Sequence, residues 1–134
     1  MKILIIEDEF VSRTKLQKIL SNLGECHLAV NGAEALEAFK MGHEEGKPYG
    51  LITVDIKLPD MTGPDVVKKI RAFEKESGAT TSEGESKILM VTAMSGKNVM
   101  ASFKEGCEGY IVKPFDSRKI AGELARLGIA PFQL

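Results

Sequence analysis

Short apolar runs and helical periods alternate along the chain with little interruption. Lys2–Ile6 is a continuous run of Leu, Ile and a leading Lys, the pattern of a strand buried on both faces. It stops at Glu7-Asp8-Glu9, and from Phe10 to Leu23 apolar side chains recur at Val11, Leu16, Ile19, Leu20 and Leu23, which is helical spacing. Gly24 stands where a C-cap is expected. Cys26–Val30 predicts a second strand, and Ala33, Ala35, Leu36, Ala38 and Phe39 mark a second helix. Gly50–Val54 predicts a third strand ending at Asp55; Pro59 and Gly63 shape a loop, and Val66, Val67, Ile70 and Phe73 give a third helix. The stretch from Gly78 to Ser86 is polar apart from one alanine and reads as a surface loop. Ile88–Val91 then predicts a fourth strand, Lys97 to Glu105 a weaker helix closed by Gly106, Tyr110–Val112 a fifth strand and Ser117 to Leu127 a last helix. Five strands alternating with five helices imply an α/β fold, a doubly wound parallel sheet with right-handed crossovers and helices on both faces.

Composition narrows the function classes. The 134 residues are one domain's worth of chain, 43% hydrophobic and 28% charged, so neither disorder nor a fibrous design fits. The net charge of −1 supplies no footprint for nucleic acid or an anionic membrane. Cys26 and Cys107 build no disulfide framework and no metal spacing, and are read as packed thiols. His27 and His43 stand isolated in the sequence. No apolar stretch is long enough for a membrane span or a signal-peptide core, so a cytoplasmic single-domain protein is expected.

In open parallel sheets ligands bind outside the carboxyl ends of the strands. Here those ends carry Glu7 and Asp8, Asp55, Thr92 and Lys113. Three converging carboxylates repel, roughly 4 kcal/mol for a pair at about 4 Å and an effective dielectric near 20, so stability alone does not assemble them. A raised pKa or a hard cation relieves the repulsion; oxygen-only donors point to Mg²⁺, with Mn²⁺ as substitute, rather than zinc. A cation with Lys113 would neutralise phosphoryl oxygens, Thr92 would offer a hydroxyl, and Asp55 a nucleophilic carboxylate.

With these residues in place, the chain resembles the receiver domain of two-component response regulators. The marks are Glu7-Asp8, the segment Val54-Asp55-Ile56-Lys57-Leu58-Pro59-Asp60-Met61-Thr62-Gly63, the pair Thr92-Ala93, and Lys113-Pro114-Phe115. The resemblance implies a flavodoxin-like (βα)5 fold with strand order 2-1-3-4-5 over residues 1–127, followed by a short tail, 128–134. It implies that Asp55 is the phosphoacceptor. Asp8 would be the main Mg²⁺ ligand, Glu7 would help directly or through water, and the Lys57 backbone carbonyl would be a third ligand. Thr92 would be the switch hydroxyl, Ala93 the small neighbour that leaves room for it, Lys113 the bridge to phosphoryl oxygen and Tyr110 the aromatic switch. Lys113-Pro114 would be a cis peptide. The resemblance also implies that Lys57 and Met94 would occupy flanking positions that influence how long the phosphoryl group survives.

The implied partners are a histidine kinase or histidine phosphotransfer protein upstream and a protein target downstream. The target would meet the face built from the fourth predicted helix, the fifth strand and the fifth helix, in a monomer or a phosphorylation-dependent dimer. No nucleic acid and no membrane is expected as partner. The seven residues after Leu127 cannot hold an effector domain, so the receiver itself is expected to make the output unless the chain is a piece of a larger protein, and to catalyse only its own phosphorylation and dephosphorylation. Three other classes of protein compete with this reading. An aspartyl-nucleophile phosphatase would carry an Asp-x-Asp pair after the first strand, where this chain has Glu7-Asp8-Glu9. A flavodoxin-like electron carrier would need a glycine- and hydroxyl-bearing phosphate loop there. A phosphorylation-independent interaction domain would not need the full constellation.

Overall fold

The computed structural model describes residues 1–78, 85–93 and 106–129. Within them run β1 (Lys2–Ile6), α1 (Phe10–Leu20), β2 (Glu25–Ala29), α2 (Gly32–Glu44), β3 (Leu51–Asp55), α3 (Gly63–Glu76), β4 (Lys87–Thr92), β5 (Gly109–Val112) and α4 (Ser117–Arg126). The helix expected over 97–105, Met94, most of the 78–86 loop and most of the tail lie outside the described residues.

The five strands form one parallel sheet in the order β2-β1-β3-β4-β5. Alternate side chains of each central strand feed opposite faces. Leu4 and Ile6 of β1 join Ile52, Val54, Ile88 and Met90 beneath α2 and α3, which contribute Ala35, Phe39, Val66, Val67 and Ile70. Ile3 and Ile5 join Leu51, Leu89, Val91 and Ile111 on the other face, under Leu16 and Leu20 of α1 and Ile120 and Leu124 of α4. Lys2–Ile6 thus serves two cores at once, which is why it lacks a polar face.

Helix α1 departs from the sequence expectation at both ends. Ser12, Leu16 and Leu20 form its buried row, four residues apart, and this register turns Val11 out to 70% exposure beside an equally bare Phe10. The helix ends at Leu20 with Ser21 as C-cap, so Gly24 caps nothing. Its need for glycine is different: a Cβ there would stand 2.0 Å from the Met1 carbonyl oxygen, because the chain start passes beside it and Glu25 donates its amide to that carbonyl at 3.0 Å.

Helix α3 starts under tighter control. Thr62 accepts from the Asp65 amide at 3.2 Å, and Asp65 accepts from the Thr62 amide at 3.3 Å, a reciprocal capping box with proline in the first turn. Gly63 packs its Cα against β3: a Cβ would lie 2.4 Å from the Asp55 carbonyl oxygen and 3.0 Å from Ile56 Cα. Backbone cannot yield there as a side-chain tip would. Gly63→Ala is therefore expected to lower stability by about 1–3 kcal/mol in urea unfolding. Gly122→Ala, in the middle of α4 with nothing within 4 Å of the new Cβ, is expected to raise stability by about 0.5–1 kcal/mol. Equal responses of the two variants would contradict the close approach at Gly63.

Candidate acidic site at the strand ends

Strand register brings the site together. Ile6 pairs with Val54, so the next residues, Glu7 and Asp55, emerge side by side from β1 and β3. Thr92 pairs with Val112, and the amide of the following Lys113 donates to the Thr92 carbonyl at 2.7 Å. This is the carboxyl edge at which the strand order reverses between β1 and β3.

Glu7, Asp8 and Asp55 each present a carboxylate oxygen within 4.8 Å of the others. Glu7 is fully buried, Asp55 is 9% exposed and Asp8 is open to solvent. The Lys113 ammonium lies 2.7 Å from Glu7 Oε1 and 3.3 Å from Asp55 Oδ2. Its bond to Asp55 is a long hydrogen bond; Glu7 Oε1, at the shorter distance, is paired by charge alone, with no hydrogen bond of good angle. Glu7 is further held by the Glu9 amide, which donates to Oε2 at 3.2 Å. Arg13 donates to the carbonyls of Glu7 and Asp8, each at 3.1 Å, and so fixes the backbone that carries both acids.

Three negative groups around one cation leave a strained balance. Burial, then a hydrogen-bonding contact with Asp55, pushes the Glu7 carboxyl up to about 7, with Lys113 pulling the other way. Burial disfavours the Lys113 charge, but Glu7 and Asp55 outweigh it and hold the ammonium above the usual lysine range. The donor set is all oxygen, two of the acids are nearly buried and the third faces solvent; this fits a hard divalent cation that retains some water.

The other expected residues fall at varied distances from this cup. Thr92 ends β4 fully buried, next to Lys113. Ala93 and Pro114 line a recess of about 440 Å³ with Lys113, Val11 and Lys15, and the Lys113-Pro114 peptide is cis. Lys57 lies two residues beyond Asp55, in a loop closed by a bridge between Lys57 and Thr62. Tyr110 stands apart on β5, 45% exposed, and lines a shallow recess with Arg118, Lys119 and Glu123 of α4.

Several polar contacts have no signature in the sequence. Arg71 donates to Glu74, to both oxygens of Glu108 and to the carbonyls of Ser86 and Gly106, tying α3 to the starts of β4 and β5. His27 is not isolated after all: Nδ1 lies 2.6 Å from the Tyr49 hydroxyl and Nε2 3.1 Å from Glu25. Cys26 and Cys107 are both partly buried, and burial raises both thiols, which suits packed rather than reactive cysteines. Asp60 accepts from the amides of Gly32 and Ala33.

A doubly wound sheet with this acidic cup at its switch point defines a receiver-type domain of two-component signalling. Residues 3–125 match the response regulator receiver domain, and the chain belongs to that family. It is 30% identical to the chemotaxis protein CheY of Thermotoga maritima over 129 residues, 94% of this chain and 96% of that one. With CheY1 of Helicobacter pylori the identity is 32% over 127 residues, covering 92% and 94%. The fold is similar to that of the response regulator TrrA of Thermotoga maritima, solved in complex with Mg²⁺ and beryllofluoride, with a TM-score of 0.74, 30% identity and 94% and 97% coverage. Receivers of this type are signalling modules rather than conventional enzymes. Among the described residues no helix is long and apolar enough to cross a membrane.

The charge balance predicts opposite signs for two substitutions. Lys113→Met strips the buried acids of their cation and is expected to lower the thermal midpoint; Asp55→Asn removes one of three mutually repelling carboxylates and is expected to raise it. Both are read by thermal unfolding near pH 7 with chelator present, and a shift in the same direction for both would contradict the repulsion.

Proposed function

We propose that this chain accepts a phosphoryl group on Asp55, from a histidine kinase or histidine phosphotransfer protein in a Mg²⁺-dependent reaction, and so switches a protein-binding face. The observation that carries this reading is the meeting of Glu7, Asp8, Asp55 and Lys113 in one cup from three separate strands. The structure of TrrA with Mg²⁺ and beryllofluoride, a phosphoryl mimic, lends further support. Asp8, Glu7, Asp55 and the Lys57 carbonyl would hold the cation, which when bound offsets charge on the phosphoryl oxygens. Mn²⁺ would substitute.

In the transfer, a carboxylate oxygen of Asp55 bonds to phosphorus as the phosphorus–nitrogen bond to the donor histidine breaks, leaving an acyl phosphate and a free imidazole. Lys113 already touches the Asp55 carboxylate, so its ammonium needs little movement to reach an incoming phosphoryl oxygen. Thr92, at the end of β4, would turn its hydroxyl toward the same group, with Ala93 leaving it room and Pro114 flanking it. Tyr110, half exposed on β5, would turn inward as Thr92 moves, changing the protein-binding face to which β5 and α4 contribute. Such a bias acts only through differential interaction with the two states: moving from 1:99 to 99:1 takes about 5.5 kcal/mol, and one charge-assisted hydrogen bond supplies about 1.5–3 kcal/mol of it. The module would act in the cytoplasm on a protein target, as a monomer or a phosphorylation-dependent dimer.

Acetyl phosphate with Mg²⁺ is the direct test. Intact mass is expected to rise by one acid-labile phosphoryl group, and Asp55→Asn is expected to abolish the gain; labelling that persists in this variant would refute the assignment. Thr92→Ala is expected to keep phosphoryl uptake yet weaken the phosphorylation-dependent binding of the target, measured by calorimetry. Equal target affinity of the phosphorylated wild type and variant would remove Thr92 from the switch.

A further inference from the structure

The loop between β3 and α3 supplies Asp55 at its root and Lys57 just beyond. Its base is closed by Gly63, which donates its amide to the Ile56 carbonyl at 2.6 Å, one of the two bonds that make the bridge between Lys57 and Thr62. The tip, Leu58 to Met61, is less well tied within itself. Its internal backbone bond, Leu58 amide to Met61 carbonyl, is long at 3.3 Å. What holds the tip is a neighbouring helix.

Asp60 is solvent-exposed, yet both its carboxylate oxygens are engaged, Oδ1 by the Gly32 amide at 2.8 Å and Oδ2 by the Ala33 amide at 2.9 Å. These are the first two amides of α2, which the helix itself cannot satisfy. Asn31 takes the third, accepting from Glu34 at 2.8 Å, and its carbonyl takes Ala35 at 3.1 Å. The first turn of α2 is thus capped by two residues with different duties: Asn31 belongs to the helix, whereas Asp60 arrives from the loop. The Met61 side chain of the same loop tip also packs on the Gly32 backbone, where an added Cβ would collide with its Cγ, Sδ and Cε. The amides of Gly32 and Ala33 hold the Asp60 carboxyl below the usual carboxylate range, so it stays ionised and bidentate at neutral pH. Helix α2 itself is anchored on α3 by the edge-to-face pair Phe39 and Phe73.

We propose that Asp60 is a positioning residue for the metal cup: by clamping the loop tip to the first amides of α2, it sets where the Lys57 carbonyl stands relative to Asp55. This rests on the reading of the Lys57 carbonyl as a Mg²⁺ ligand. An outer partner of this kind orients a ligand without touching the ion, and its loss ordinarily weakens metal binding about 10-fold or more. Asp60 also makes α2 part of the metal-binding unit, because the loop and the helix cannot move apart while the clamp holds.

The test is a Mg²⁺ titration followed by backbone amide NMR shifts, on wild type, Asp60→Ala, Asp60→Asn and Asn31→Ala. Asp60→Ala is expected to weaken Mg²⁺ binding about 10-fold, and Asp60→Asn, which keeps one acceptor oxygen, to weaken it less. Asn31→Ala removes a cap from the same helix turn without touching the loop. It is expected to lower the thermal midpoint comparably while leaving Mg²⁺ affinity within about twofold of wild type. In wild type, Mg²⁺ is expected to shift the Gly32 and Ala33 amides, and in Asp60→Ala these shifts are expected to vanish. Wild-type affinity in Asp60→Ala, or an equal loss in Asn31→Ala, overturns the positioning role while the metal site stands. A wild type whose amides do not respond to Mg²⁺ overturns the metal reading and this inference with it.

Discussion

The repulsion among Glu7, Asp8 and Asp55, held in check by Lys113, is the constraint around which the rest of this structure is arranged. The protein gathers three acids whose ligand oxygens lie within 4.8 Å, two of them nearly out of water. One ammonium bridging two carboxylates cannot neutralise three, and burial, with Asp55 beside it, holds the Glu7 carboxyl above the usual carboxylate range. A site left in this condition is poised for added positive charge. Stability alone would favour apolar side chains at such positions, so the cluster is better understood as a cost to the fold that serves its chemistry.

The fold answers that cost with rigidity nearby. Both cores grip β1 and β3 from opposite sides, so the two strands that deliver the acids have little freedom to spread. Arg13 pins the Glu7 and Asp8 carbonyls, Gly63 lets α3 begin against the Asp55 carbonyl, and Asp60 ties the loop tip to α2. Repulsive groups stay close only when the backbone that bears them is overdetermined. Farther out, Tyr110 stands half exposed beside the α4 recess, and Phe10 and Val11 are bare in the first turn of α1. The interior is fixed and the exposed apolar side chains lie on its margins.

Much of this was legible residue by residue. Lys2–Ile6 announced a strand buried on both faces because it offers no polar position to a solvent side, and Ile3/Ile5 against Leu4/Ile6 divide between the two cores as that pattern requires. The positions of Glu7, Asp55, Thr92 and Lys113 at strand ends followed from where the apolar runs stop. The misreadings were local in origin and tertiary in cause. Val11 fits a helical period as well as Ser12 does, and only the docking of Leu16 and Leu20 on the sheet selects which row is buried. Gly24 looks like a helix cap, but it is there to admit the chain start, a contact that neighbouring residues cannot disclose.

The sequence by itself determined the parallel α/β architecture and the set of acids, hydroxyl and lysine at its carboxyl edge, because hydrophobic period and strand termination are properties of neighbouring residues. Only the tertiary structure decided that Lys113 sits nearer Glu7 than Asp55, that Glu7 is wholly buried while Asp8 is open, and that Asp60 and Arg71 spend their charges on distant backbone. Those choices depend on register between strands and on how loops meet helices across the sheet. Distances of a few tenths of an ångström between groups dozens of residues apart are written in packing, and no local pattern encodes them.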